Sequence, residues 1–209
     1  MNNKKKLGIT VAVISVVFIV AVLLMVRTMA SNHSEELEKE SQKLSVSAIE
    51  TKSGELIETE YTCFDENEFY IKVPTSFKQL DYETILQKYN GDVPDIVFSN
   101  EQTTVNVAVS LTDNEMKDSG IGPYKSYIEN LLEDSSEIIA SDDYEVDGNH
   151  IGHIKVLTKA ADTDVYNNMI FFSYNDKLVI ITFNCTAQLK EEWEQVGDFI
   201  IESLFFNES

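Results

Sequence analysis

The strongest constraint on the fold is an uncharged apolar run that begins at Leu7 and ends at Val26, LGITVAVISVVFIVAVLLMV. A helix that packs one side against a domain shows an apolar stripe, whereas this run is apolar on every side. Twenty helical residues rise about 30 Å, which is the thickness of the hydrocarbon core of a bilayer. The run therefore predicts one transmembrane helix, through which the chain contacts the membrane.

Charges beside the run predict its orientation. Lys4, Lys5 and Lys6 precede it, and Arg27 alone follows it before an acidic stretch. Because basic residues stay on the cytoplasmic side, residues 1–6 are predicted to form a cytoplasmic tail, with the rest of the chain extracytoplasmic. The alternative is a cleaved signal peptide, whose apolar core usually spans about 7 to 15 residues and is shorter than this run. The favoured interpretation is a single-pass anchor in the cell membrane.

After the apolar run the chain has a polar segment and then a predicted domain, and acidic side chains outnumber basic ones. Residues 27–57 contain no aromatic side chain and predict a polar stalk, and one domain is predicted over residues 58–209. Four of the 16 basic side chains flank the apolar run, so 12 remain against 36 acidic ones. Such a surface repels a polyanion and offers no basic patch, so nucleic acid is excluded as a partner.

Alternation and turn residues predict most of the secondary structure of the domain. Val105, Val107, Val109 and Leu111 alternate with smaller or polar residues, which is the pattern of a strand with one buried face. The pairs Asp147-Gly148 and Asn175-Asp176 are typical of tight hairpin turns. Strands are predicted over residues 58–64, 69–73, 95–99, 103–112, 136–146, 150–160, 165–174 and 177–186, and helices over residues 76–90, 123–134 and 187–206.

The order of these elements predicts an α+β fold. Most links between strands have the length of a hairpin, and the helices fall at the start, middle and end of the domain. An antiparallel sheet flanked by helices on both faces, an α-β-α sandwich, accounts for this order.

Several core and turn positions resemble the PsbP-like family, which includes the photosystem PsbP subunit, the Mog-type Ran-binding proteins and many bacterial extracytoplasmic proteins. The resemblance covers residues 58–206 and begins with an F-x-I-x-V-P-x-x-F opening from Phe69 to Phe77. It continues through the strand at residues 105–111, the Gly148 hairpin, the aromatic strand at residues 169–174, the segment at residues 180–183 and the closing helix into Ser203-Leu204-Phe205.

The resemblance implies an α-β-α sandwich that serves as a binding or assembly module. Members of the family bind proteins, metal-cluster assemblies or lipids, so the fold implies no particular ligand. The matching positions are core and turn residues, and no functional residue is carried over.

Two cysteines, Cys63 and Cys185, lie in predicted strands. An extracytoplasmic compartment permits a disulfide between them, which would close a long loop and stabilise the fold. The alternative is two separate thiols in the core, since small buried cysteines are common in strands.

The remaining candidates for chemistry give no catalytic or metal signature. His150 and His153 lie three apart in a strand, so their side chains are predicted to point to opposite faces. Acidic clusters could supply oxygen ligands to calcium, but none has the spacing of an EF-hand loop. These clusters are Asp113/Glu115/Asp118, Asp142/Asp143 and Asp162/Asp164. No local pattern indicates a nucleophile with its base, so the domain is not expected to be an enzyme and no cofactor is expected.

The leading hypothesis is therefore a non-catalytic, membrane-tethered extracytoplasmic binding module with a protein partner in the cell envelope. Two alternatives are a carrier of a lipid or small apolar molecule and a calcium-responsive accessory protein.

Overall fold

The computed structural model of this 209-residue chain describes residues 46–64, 69–89, 93–159 and 163–207. The predicted anchor at residues 7–26 and most of the predicted stalk lie outside these ranges. Within these ranges, no helix is long and apolar enough to cross a membrane.

A seven-stranded antiparallel sheet forms the centre of the described unit. The strands of the described residues are β1 (Ser47–Glu50), β2 (Leu56–Phe64), β3 (Phe69–Pro74), β4 (Lys78–Gln79), β5 (Ile96–Ser99), β6 (Val105–Glu115), β7 (Ser136–Val146), β8 (Asn149–Thr158), β9 (Val165–Tyr174), β10 (Lys177–Thr186) and β11 (Phe205–Phe206). The large sheet has the strand order β4-β5-β6-β10-β9-β8-β7, and a smaller four-stranded sheet has the order β1-β2-β3-β11. The α-helices of the described residues are α1 (Tyr82–Lys88), α2 (Ile121–Leu132) and α3 (Lys190–Ile201).

Two tight turns at one end of the large sheet join β7 to β8 and β9 to β10, four of its five long strands. Asp147 and Gly148, between β7 and β8, have φ values of 49° and 79°. Asn175 and Asp176, between β9 and β10, have φ values of 50° and 57°. Two consecutive residues with positive φ form the type I′ turn that suits the twist of a hairpin. Both predicted hairpins are confirmed.

Helices cover both faces of the large sheet, as the sequence predicts. Odd-numbered residues of β6 and β10, such as Val107 and Phe183, pack with Val196 of α3 and with the small sheet. On the opposite face, Ile121 of α2 packs against β8 and β9, and Ile85 of α1 packs against β5 and β6. The layers are therefore α1 and α2, the large sheet, and a third layer of α3 with the small sheet, so the prediction of a single sheet was incomplete.

Close approach between α3 and the sheet requires a glycine. A Cβ atom on Gly197 would lie within 3.0 Å of three ring atoms of Phe183, a fully buried side chain. Real Cβ contacts are not this short, so an alanine at this position would displace the helix or the ring.

Three short strands differ from the predicted elements. β1 lies in the range predicted to be stalk, and the compact unit begins at Val46 rather than at residue 58. β4 occupies the start of the first predicted helix.

The last predicted helix ends at Ile201, because the Ser203 hydroxyl donates to the carbonyl of Ile200 and accepts from the backbone N–H of Lys72. The chain then turns into β11, which pairs with β3.

The turn between β1 and β2 is held against the start of α3. Lys52 Nζ lies 2.6 Å from Glu191 Oε2, and the backbone N–H and hydroxyl of Ser53 both donate to the Glu192 carboxylate. These contacts connect the first hairpin of the unit to its last helix.

Candidate binding cleft

An open cleft of about 390 Å³ lies on the face of the large sheet that α3 covers, near the β7 edge and beside the C-terminal end of α3. Seven of its nine lining residues are polar or charged, and apolar atoms supply most of the exposed surface of the lining. The lining residues are Ala140, Asp142 and Tyr144 of β7, His153 and Lys155 of β8, Asn168 of β9, Asp198 and Ile201 of α3, and Glu202 after the helix.

Strand alternation brings these side chains to one face. Residues 140, 142 and 144 share a face of β7 because side chains alternate along a strand. The register then places Asp142 opposite His153, and Lys155 opposite Asn168. The cleft therefore draws on three neighbouring strands whose residues are distant in sequence.

Asn168 orients the side chains on the floor of the cleft. Its side chain is fully buried, its Nδ2 donates to Asp198 Oδ1 at 2.8 Å, and its Oδ1 lies 2.7 Å from His153 Nε2. The Asp198 carboxylate can only accept, which determines which end of the amide is the oxygen. Because that oxygen can also only accept, the proton of His153 must be on Nε2. His153 Nδ1 then faces Asp142 Oδ2 at 3.9 Å.

The cleft has more acidic than basic side chains. Lys155 Nζ lies 2.6 Å from Asp198 Oδ1, with side chains 18% and 31% exposed, so these two charges compensate each other. The carboxylates of Asp142 and Glu202 lie at the exposed rim. The cleft thus presents net negative charge to solvent.

The carboxylates of Asp142 and Glu202 affect the pKa of Tyr144. Burial raises the pKa of its phenol to about 12, and the negative charges of Glu202 and Asp142 add to the effect. At neutral pH the phenol is a neutral hydrogen-bond donor beside two acceptors. The lining therefore offers hydrogen-bond donors, hydrogen-bond acceptors and charged groups.

A second polar cluster lies on the opposite face of the same hairpin. Lys125 of α2 is buried, with its Nζ 2.6 Å from Asp143 Oδ2 and 2.8 Å from Ser141 Oγ, and His150 Nε2 lies 3.0 Å from Asp143 Oδ1. Burial alone would raise the pKa of Asp143, but hydrogen bonds from Lys125 and His150 lower it. The pair Ser141 and Lys125 has the atoms of a serine–lysine site, but the Asp143 carboxylate holds the ammonium and the cluster serves to tie α2 to β7. His150 and His153 do point to opposite faces, as predicted.

The two cysteines lie in different sheets and are not bridged. Cys63 is exposed on β2, with its Sγ 3.7 Å from the carbonyl oxygen of Phe64, and Cys185 is buried in the core on β10. Burial raises the pKa of the Cys185 thiol to about 12. The buried thiol is therefore unreactive at neutral pH.

The acidic clusters named from the sequence are dispersed. Asp113 Oδ1 pairs with Lys177 Nζ at 2.8 Å, Asp142 and Asp143 face opposite sides of β7, and Asp162 lies outside the described residues. No group of three or more His, Cys, Asp or Glu side chains able to hold a metal ion occurs in the described part of the chain.

The fold is PsbP/Mog1-like, which confirms the resemblance predicted from the sequence. The solution structure of cyanobacterial PsbP (CyanoP) from Synechocystis sp. PCC 6803 covers 71% of this chain and 92% of its own length, at 12% identity and a TM-score of 0.50. A mutant of protein Mog1 covers 70% and 94%, at 16% identity and a TM-score of 0.44. LpqN of Mycobacterium tuberculosis, involved in cell envelope biogenesis, covers 73% and 92%, at 8% identity and a TM-score of 0.48.

These similarities concern the fold alone. No protein-family model and no curated protein sequence matches the chain.

Proposed function

We propose that this chain is a non-catalytic binding module whose cleft holds a basic segment of a partner protein. The observation that carries the proposal is the unequal charge of the cleft. Asp198 already pairs with Lys155 at 2.6 Å, and Asp142 and Glu202 remain at the rim to receive cations from a partner.

Charge on the whole chain supports a basic partner. The formal net charge is −20, and the acidic side chains all follow residue 27. Fields of this kind accelerate the approach of an oppositely charged partner and repel acidic ones. Specificity then depends on the fixed geometry of the cleft.

The side chains that line the cleft support a binding role over catalysis. Among the described lining residues there is no serine, threonine or cysteine to act as a nucleophile. His153 donates its Nε2 proton to Asn168, and its Nδ1 faces the Asp142 carboxylate, so no described hydrogen bond of this ring reaches a nucleophile. An apolar carrier stays the alternative, because apolar atoms supply most of the exposed surface of the cleft, although Ala140 and Ile201 are the aliphatic residues among the described lining residues.

The apolar run at residues 7–26 would tether the module to the cell membrane, with the domain on the extracytoplasmic side. The proposed partner is therefore a protein of the envelope with a basic segment.

The test is affinity purification of the tagged full-length chain from its native membrane after mild crosslinking. The cleft variant carries Asp142→Asn with Glu202→Gln. The matched control carries Glu83→Gln with Asp113→Asn, which removes the same charge from exposed positions outside the cleft lining. A chain without residues 58–206 gives the background.

We expect the same partner with the wild type and the control variant, and its loss with the cleft variant. Equal recovery with both variants would show that the cleft is not the binding site.

A further inference from the structure

The outer edge of β7, beside the cleft, pairs with no other strand of the described residues. β7 is eleven residues long and terminates the large sheet. It pairs with β8 on one side, and among the described residues no strand pairs with the other side. An open edge of this length presents backbone donors and acceptors that can accept another strand.

A hydrogen bond at His150 shows which backbone groups of β7 point outward. His150 lies opposite Glu145, yet its N–H donates to the Asp118 carboxylate at 2.7 Å and so points away from β7. Opposed residues of an antiparallel pair alternate between bonded and non-bonded pairs. The N–H and C=O groups of Glu145, and by alternation those of Asp143 and Ser141, therefore point away from β8.

The acidic side chains of β7 limit which strands can pair with its outer edge. The strand has four exposed acidic side chains and no lysine or arginine; they are Glu137, Asp142, Asp143 and Glu145. Pairing two copies of this edge would place carboxylates opposite carboxylates, which is unfavourable. An irregularity at Ile139 also limits the regular edge to the residues that follow it. The edge is closed to a second copy of the chain and open to a basic strand.

We propose that the basic segment of the partner binds as an added strand along the outer edge of β7. This rests on the proposed function for the basic character of the segment and extends it to the backbone. Side chains of an added strand alternate between the faces of the sheet. One set would lie beside Asp142 and Tyr144 of the cleft, and the other set beside Asp143 and Glu145.

Glu145 allows the backbone to be tested separately from charge. Because its N–H points outward, Glu145→Pro removes an edge donor without removing a bond between β7 and β8, and proline is tolerated on edge strands. Glu145→Gln removes the charge and keeps the N–H, so it is the matched control. A native thermal transition, followed by Trp193 fluorescence, establishes that each variant is folded.

The binding measurement is fluorescence anisotropy with the full-length chain in a non-ionic detergent. One probe is a labelled peptide of about ten residues that alternates lysine and valine, a length that matches a strand. The second probe alternates lysine and proline, so it has the same charge but cannot form a strand. We expect the lysine–valine peptide to bind the wild type and Glu145→Gln about tenfold more tightly than Glu145→Pro. Equal affinity for Glu145→Pro and Glu145→Gln, or equal affinity of the two peptides for the wild type, would overturn the proposal.

Hydrogen exchange on the wild type gives a test that needs no variant. Bound lysine–valine peptide should slow exchange at the amides of Ser141, Asp143 and Glu145, and unchanged exchange there would contradict strand addition.

The cleft variant Asp142→Asn with Glu202→Gln distinguishes the two proposals. If it weakens binding while Glu145→Pro does not, strand addition is wrong and the proposed function stands. If Glu145→Pro alone weakens binding, the edge is the site and the cleft is not.

Discussion

Asn168 is the residue that determines the orientation of the cleft side chains. It occupies a core-facing position of β9 between Tyr166 and Ile170, where alternation calls for an apolar side chain. A polar residue at such a position indicates a buried hydrogen-bond network, because a buried amide needs partners. Its partner Asp198 lies thirty residues away on α3, and the sequence alone does not show that the two meet.

The two thiols are predicted to differ in reactivity. At pH 8, Ellman's reagent should modify the exposed Cys63 of the folded chain rapidly and reach the buried Cys185 only after unfolding in urea. Cys63→Ser should then show no rapidly reacting thiol. A disulfide between the two would leave no reactive thiol before or after unfolding, and that result would contradict the structure.

Tyr144 is predicted to give the folded chain a measurable dependence on alkaline pH. Its folded pKa is about 12, whereas a tyrosine of the unfolded chain titrates near 10. The contribution of the neutral phenol to stability is therefore complete below pH 10 and is lost as the pH rises through 12. Labelled-tyrosine NMR should show a midpoint near 12 for the signal that is missing in Tyr144→Phe. A midpoint near 10 would contradict the half-buried position of the ring.

At the level of elements, the long strands and tight turns could be predicted, but the short strands could not. β6 and the two hairpins carry alternating apolar residues and turn residues that take positive φ. β4 and β11 have two residues each and β1 has four, too few to show a period. The pairing of β11 with β3 joins residues distant in sequence, such as Phe206 and Phe69, so the second sheet was not predictable from local patterns.

The contact between α3 and the large sheet is predicted to be sensitive to a single methyl group. Gly197→Ala should lower the free energy of unfolding by about 1–3 kcal/mol, because the new Cβ meets the buried ring of Phe183. Gly122→Ala in α2 is the matched control, since the nearest atom, His150 Cε1, would lie 3.4 Å away.

Alanine favours a helix over glycine by up to about 1 kcal/mol, so the control should be as stable as the wild type or more stable. Urea unfolding of the two variants measures the difference. Equal stability of both variants would show that α3 is less closely packed than described.

For the whole molecule, the sequence predicted the charge and the fold class better than the site. The sequence analysis named Asp142 together with Asp143 and His153 together with His150, but the cleft also needs Lys155, Asp198 and Glu202. Those residues come from β8, α3 and the segment after it, and only the packing of α3 across the sheet brings them together. The site depends on tertiary packing and not on a local sequence motif, so no motif in the sequence indicates it.

Deletion of residues 1–30 is predicted to release the chain from the membrane. The full chain should remain in the membrane pellet after an alkaline carbonate wash, because the apolar run at residues 7–26 would partition into the bilayer. The shortened chain should be soluble. Mass spectrometry of the pellet and the supernatant gives the control, since a cleaved signal peptide would yield a soluble chain that lacks its N-terminus in the supernatant.

β1 determines how the folded unit responds to a pulling force on its N-terminal side. A force on the residues before Val46 enters the folded unit through this edge strand, which has four residues and pairs only with β2 among the described strands. Behind it, the turn at Lys52 and Ser53 is fastened to Glu191 and Glu192 of α3. Under tension, β1 should therefore detach first while those contacts stop further peeling, so the chain gains a few residues of length without unfolding its core.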